Sequence, residues 1–136
     1  MRLEITRRSD LATRALLALA TDGHRSKSSD LAERIGTTTG FLSQAMSPLV
    51  RQGWVRSDPG PSGGYVATLD PDEVSVLDVI EAVEGPTDNG LCVLGGRPCS
   101  RARQCSLHGP WSGARAQLLA NLAATSLSIL LPLGSE

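Results

Sequence analysis

A chain of 136 residues has room for one compact domain with a small appended element, and it leaves no space for two independent enzyme domains. With 40% apolar and 3% aromatic side chains, its core must be aliphatic, built from Leu, Val, Ile and Ala, and that composition favours helices. The net charge of -1 hides a division, because residues 1–57 carry nine Lys/Arg against five Asp/Glu and residues 58–136 carry four against nine, so a polyanion would meet the first half.

In chain order, Ser9 can cap a first helix in which Leu11, Ala15 and Leu19 repeat at four-residue spacing, widened by Leu16 and ended near Thr21-Asp22-Gly23. Ser28 can cap a short second helix with Leu31, Ala32 and Ile35 facing inward and Gly36 as its left-handed stop. Thr38 or Thr39 begins a third helix whose Phe41, Leu42, Ala45, Met46, Leu49 and Val50 fall on one stripe, ended by Gly53. Pro48 removes a backbone bond to residue 44 and predicts a kink or a loosened last turn.

The period then changes. Trp54-Val55-Arg56 and the run from Tyr65 to Leu69 read as two strands around a turn-rich segment from Asp58 to Gly64, which makes a hairpin, or wing. Ser75 with Asp78 forms a capping box before a fourth helix that Gly85-Pro86 closes. An irregular cysteine loop follows, then a helix from about Trp111 to Ala124 with Ala114, Leu118 and Leu122 on one stripe. Ser126 can cap a last turn, Leu127 to Leu131, stopped by Pro132.

Helix, short helix, tight turn, helix and Gly-rich hairpin is the element order of a winged helix-turn-helix. The expected fold is mainly α with a small β wing, divided into a DNA-binding domain over 1–85, a cysteine-rich loop over 86–108, and a dimerisation helix and tail over 109–136. The third helix would enter the major groove of double-stranded DNA with Phe41, Leu42, Ala45 and Leu49 anchored in the core. Thr38, Thr39 and Gly40 stand at its start, and Thr39, Ser43, Gln44 and Ser47 would face the bases. Gln44 is the strongest base reader, since its amide can bond two adenine edge groups at once. Arg51 and Arg56 suit phosphate, and Gly63 and Gly64 let the wing turn beside a groove, whereas Asp58 and Pro59 stand where a cation would bind phosphate better.

All three cysteines lie between positions 92 and 105. No run approaches a membrane span, and Arg2, Glu4, Arg7 and Arg8 stand where a signal peptide would need an apolar stretch, so a cytoplasmic protein is expected. An odd number of clustered cysteines in that compartment argues against a disulfide framework and for a metal or redox role. Cys92, Cys99, Cys105 and His108 have the spacing C-x6-C-x5-C-x2-H, four ligands that can surround an iron-sulfur cluster or zinc. Arg97, Arg101 and Arg103 lie among them and can offset thiolate charge. No Cys-x-x-Cys and no nucleophile-base pair is present, so no enzyme activity is expected.

Across nearly its whole length the chain resembles the Rrf-two family of winged-helix regulators. The resemblance is carried by Met1-Arg2-Leu3, the segment from Leu31 to Gly36, Phe41-Leu42, Gly63-Gly64-Tyr65, the segment from Asp78 to Gly85, the three cysteines, and His108 with Trp111. It implies a homodimer joined by the last long helix that binds a two-fold related promoter site and changes affinity with cluster state. It also implies two candidates for the fourth ligand. His108 is similar to the His of the family's 2Fe-2S regulators and is favoured; Asp10 is similar to an Asp that 4Fe-4S nitric-oxide sensors supply from the partner subunit, displaced by two residues. Two departures bear on DNA reading: Pro59 stands where the family usually has Arg, and Ser43 replaces an acidic residue.

Overall fold

The computed structural model describes residues 1–100 and 102–131. Its centre is α1 (Arg7–Asp22), in which five consecutive residues, 15 to 19, are buried. A helix buried on nearly every face needs neighbours all round, and α1 packs against α2 (Ser28–Ile35), α3 (Thr39–Arg51), α4 (Val76–Glu84) and the second strand of the wing. The helix begins two residues before Ser9: Thr6 is the cap, and its hydroxyl accepts from the Ser9 amide at 3.2 Å. Ser9 is buried instead, and donates its hydroxyl to the Glu84 carboxylate of α4. A buried hydroxyl needs such a partner, so the residue expected as a cap ties two helices together.

The next two helices follow local rules closely. Gly36, at φ 74, ends α2 in the left-handed conformation, and Thr38 caps α3 by accepting from the Phe41 amide at 3.2 Å. Ser28 is the first residue of α2, and Lys27 occupies the cap without a side-chain bond. Pro48 does not end α3, which continues to Arg51 with the proline buried.

Strand β1 (Val55–Asp58) pairs antiparallel with β2 (Gly64–Ala67), Val55 opposite Ala67 and Asp58 opposite Gly64. Ser26, on the segment between α1 and α2, adds a further rung: its amide donates to the Tyr65 carbonyl and the Tyr65 amide to its own, each at 2.9 Å. That approach requires glycine at 64. A Cβ there would lie 2.1 Å from the Ser26 carbonyl oxygen, and φ is +147. The wing is therefore fastened to the domain at its base.

Ser75 and Asp78 form the expected capping box at α4, with bonds of 3.0 and 2.9 Å. Helix α5 (His108–Ala123) packs on α4, and none of its 16 residues is buried. It starts three residues before the expected Trp111 because Pro110 lies in its first turn, where a missing N–H breaks no helical bond. Beyond α5 the chain turns back. Val76 donates its amide to the Thr125 carbonyl at 2.8 Å, and a 3-10 turn (Leu127–Leu130) inserts Leu127, 1% exposed, into the core of the first 85 residues. The last segment is thus part of the winged-helix core as well as the route back from α5. Arg101 and Pro132 lie outside the described residues. Among the described residues, no helix is long and apolar enough to cross a membrane.

Candidate metal centre and nucleic-acid interface

The cysteine loop folds by short-range backbone bonds. The Cys92 amide donates to the Arg97 carbonyl at 2.7 Å and the Gly96 amide to the Cys92 carbonyl at 3.2 Å, a tight reversal that Gly96 completes at φ 63. Cys105 is joined to the next helix by its carbonyl, which accepts from the His108 amide at 3.0 Å. The result brings the sulfurs of Cys92, Cys99 and Cys105 within 4.8 Å of one another, all three half-buried, with Cys92 and Cys105 3.5 Å apart. Residues separated by thirteen positions thus converge on one point.

Around them lies a cavity of about 260 Å³, walled on one side by the loop residues Asp88 and Leu91 and on the other by His108, Trp111, Ser112 and Arg115. Those four stand at i, i+3, i+4 and i+7 of α5, which is one helix face. Arg115, the only charged side chain of α5, is held toward the loop by Asp88 at 3.2 Å. His108 lines the cavity, yet its ring nitrogens do not join the group within 4.8 Å that holds the three sulfurs. Asp10 is not part of that group either, and its carboxylate pairs with Arg14 at 2.9 Å.

The thiols differ in acidity. The Leu94 amide, donating to the Cys92 sulfur at 3.4 Å, and then the neighbouring Cys105 and Cys99 thiols bring Cys92 down to about 7. The Cys105 amide acts to lower Cys99 as well, but the Cys92 and Cys105 thiols and burial outweigh it, and Cys99 lies above the ordinary thiol value. One thiolate is thus available near neutrality. Three convergent sulfurs in a hollow lined by a cation and an imidazole fit a soft or borderline metal centre.

The second surface is the exposed side of α3. Thr38, Thr39, Gly40, Ser43, Gln44, Ser47 and Arg51 are all exposed, while Leu42, Ala45, Met46 and Leu49 are buried, so the polar stripe points outward over the length of the helix. Phe41 corrects the expectation that it anchors the core, because it is 62% exposed, and Val50 is exposed too. Arg51 donates to the Ser47 hydroxyl at 3.3 Å. In the wing, Asp58 engages Arg56 at 3.1 Å and Arg25 at 3.5 Å, which spends part of the positive charge a phosphate would use. Gly63 and Gly64 are buried, and both serve close backbone contacts: a Cβ at 63 would meet the Asp58 carbonyl oxygen at 2.1 Å.

Arg8 is the residue sequence reasoning missed. From the first turn of α1 it lines a shallow hollow with Ser43, Gln44 and Ser47 of α3. Its position beside Arg7, at the start of a helix in the basic half, was the available signal, but sequence alone does not reveal that α1 begins next to α3. Trp111 and Arg115 were likewise within reach, since they follow His108 at helical spacing.

Comparison with known proteins agrees with this architecture. Residues 5–132 match the model of the Rrf2 family, described as iron-dependent transcriptional regulator. The chain is 35% identical over 102 residues to the HTH-type transcriptional regulator IscR of Aliivibrio salmonicida, a match covering 75% of this chain and about 60% of the length of that relative. Among solved structures, CymR, the global cysteine regulator of B. subtilis, is similar with a TM-score of 0.77 at 24% identity, over 97% of this chain and 98% of that one. IscR of T. potens is similar with a TM-score of 0.74 at 22% identity, over 96% and 87% of the two chains. At such identities the structural likenesses speak for the fold alone: a winged helix, mainly helical, with a two-stranded wing. With the family pattern spanning all but the first few and last few residues, the chain belongs to the Rrf2 family.

Proposed function

We propose that the chain is a cytoplasmic, DNA-binding transcription repressor that acts as a homodimer and senses redox state, iron supply or nitric oxide through an iron-sulfur cluster. The observation that carries this reading is the convergence of Cys92, Cys99 and Cys105 within 4.8 Å in a chain whose α3 presents an exposed polar face. A bound cluster supplies an inorganic centre whose state responds to oxidants, iron supply and nitric oxide. The three thiolates would hold it, with His108 as the fourth donor in a 2Fe-2S site or Asp10 of the partner subunit in a 4Fe-4S site. Arg115, kept near by Asp88, offsets thiolate charge. No catalytic role is assigned.

Helix α5 serves the dimer, since none of its 16 residues is fully buried within one chain and Leu118 is 45% exposed. It also connects the two surfaces. His108, Trp111 and Arg115 face the cysteines, α5 packs on α4, and α4 packs on both α1 and α3. A change in the arrangement of the loop between filled and empty sites can therefore bias the spacing of two recognition helices, which alters operator affinity only if the two states bind DNA differently. On the DNA, Gln44 reads bases with Ser43, Ser47, Thr39 and Gly40 beside it. Thr38, Arg51 and Arg8 hold phosphates, and Arg56 with the turn at Gly63 and Gly64 brings the wing to the backbone.

The same thiols also suit a second reading, a structural zinc site without sensing, since Cys92 and Cys105 are 3.5 Å apart, near the spacing of two thiolates on one tetrahedral zinc or iron. Anaerobic purification separates the two. The proposal expects a coloured protein that Cys99→Ala bleaches; a colourless protein with one zinc per chain contradicts it.

A further inference from the structure

Phe41 is an aromatic side chain left outside a small core that is short of aromatics. The chain has two Trp, one Tyr and this one Phe, and while Tyr65 is buried, Phe41 is 62% exposed. Its position explains why. Phe41 and Pro48, seven residues apart, share one edge of α3; Pro48 is buried, so the core covers the later part of that edge and the first turn projects past it. The backbone that carries the ring is fixed, because the Phe41 amide donates to the capping Thr38 hydroxyl at 3.2 Å. Nothing screens it from the preceding position, since Gly40 has no side chain and a Cβ there would meet nothing nearer than the Thr38 hydroxyl at 3.9 Å.

The place and the chemistry of this ring go together. It stands one turn before Gln44, at the end of the helix that meets base edges in a helix-turn-helix. A phenyl ring has no polar atom for a phosphate or for a hydrogen bond to a base. The apolar feature that the major groove offers is the thymine 5-methyl group. We infer that Phe41 packs on a thymine methyl in each half-site and is a specificity-determining residue alongside Gln44. The inference rests on the DNA-binding reading above and adds the base class that one residue selects.

The test uses duplex selected from a random library by the anaerobically purified wild-type protein, with each thymine then replaced singly by uracil, which removes only the methyl. Loss of one buried methyl is expected to weaken wild-type binding about fourfold at one thymine per half-site. Phe41→Ala should bind the thymine duplex on the order of tenfold more weakly and bind the uracil duplex no worse than that, while Phe41→Leu keeps the methyl sensitivity. Because the ring is exposed, Phe41→Ala should melt with the wild type. Undiminished methyl sensitivity in Phe41→Ala, no methyl-sensitive thymine at all, or a fall in melting temperature of the size of a core truncation would each overturn the contact. Failure of the wild type to select any duplex is a different result, and it would overturn the DNA-binding reading itself.

Discussion

Asp22 closes α1 and gathers three elements at once. Its carboxylate accepts from both Arg34 terminal nitrogens, one at 3.3 Å, and from the Ser26 hydroxyl at 3.2 Å, so the first helix, the second helix and the segment that backs the wing meet at one group. The Arg34 hydrogen bond holds the Asp22 carboxyl below its ordinary value, against the opposing effect of burial. A carboxylate whose pKa is depressed on folding stabilises the native state above the unfolded value and loses that contribution as pH falls through the folded one. Asp22→Asn should therefore cost up to about 1 kcal/mol at neutral pH, Arg34 being substantially exposed, and the difference from wild type should vanish in acid below the carboxylate range. Urea titrations at both pH values measure it, and a deficit that persists in acid would assign the effect to packing. At the proposed DNA surface, Gln44→Ala should lower discrimination between the selected duplex and random duplex. Arg51→Ala should weaken binding to both and reduce the salt slope by about one unit. Equal losses on both duplexes for Gln44→Ala would remove its assigned role.

Local chemistry explains why most elements could be located from the chain alone, and geometry between elements explains the rest. The Ser75 and Asp78 box, the Gly36 stop and the Thr38 cap each depend on residues within one turn, and each stands where the residue types point. Helical period correctly put Leu42, Ala45 and Leu49 inside. It failed for Phe41 because period gives an angle around the axis and says nothing of where along the axis the neighbours end. The cysteine spacing indicated a shared centre, yet only the folded loop shows that Arg115, ten residues after Cys105, and Asp88 reach the same cavity. Helix α5 carries the clearest consequence among the elements. Leu118, 45% exposed, lies on an uncovered face that the proposed dimer buries. Leu118→Glu should leave each chain folded, convert the dimer to a monomer in sedimentation, and weaken binding to a two-fold related duplex by at least about a hundredfold through loss of the linked second half-site. An intact dimer in that variant would place the interface elsewhere.

For the whole molecule, the arrangement is one of two surfaces joined by a short mechanical route. The cysteine cavity faces α5, α5 rests on α4, and α4 touches α3, the helix proposed to read DNA with its outer side. The return of the chain through Leu127 into the core ties the C-terminal end of α5 to the segment that leads into α4 and does not leave it as a loose tail. The measurement that tests this account most directly is made on oxygen-protected protein: iron and acid-labile sulfide per chain, with affinity for the selected duplex before and after chelation. The account predicts two irons and about two sulfides per chain and an affinity that changes when they are removed. Protein that contains neither and binds its duplex with the same affinity throughout would contradict it.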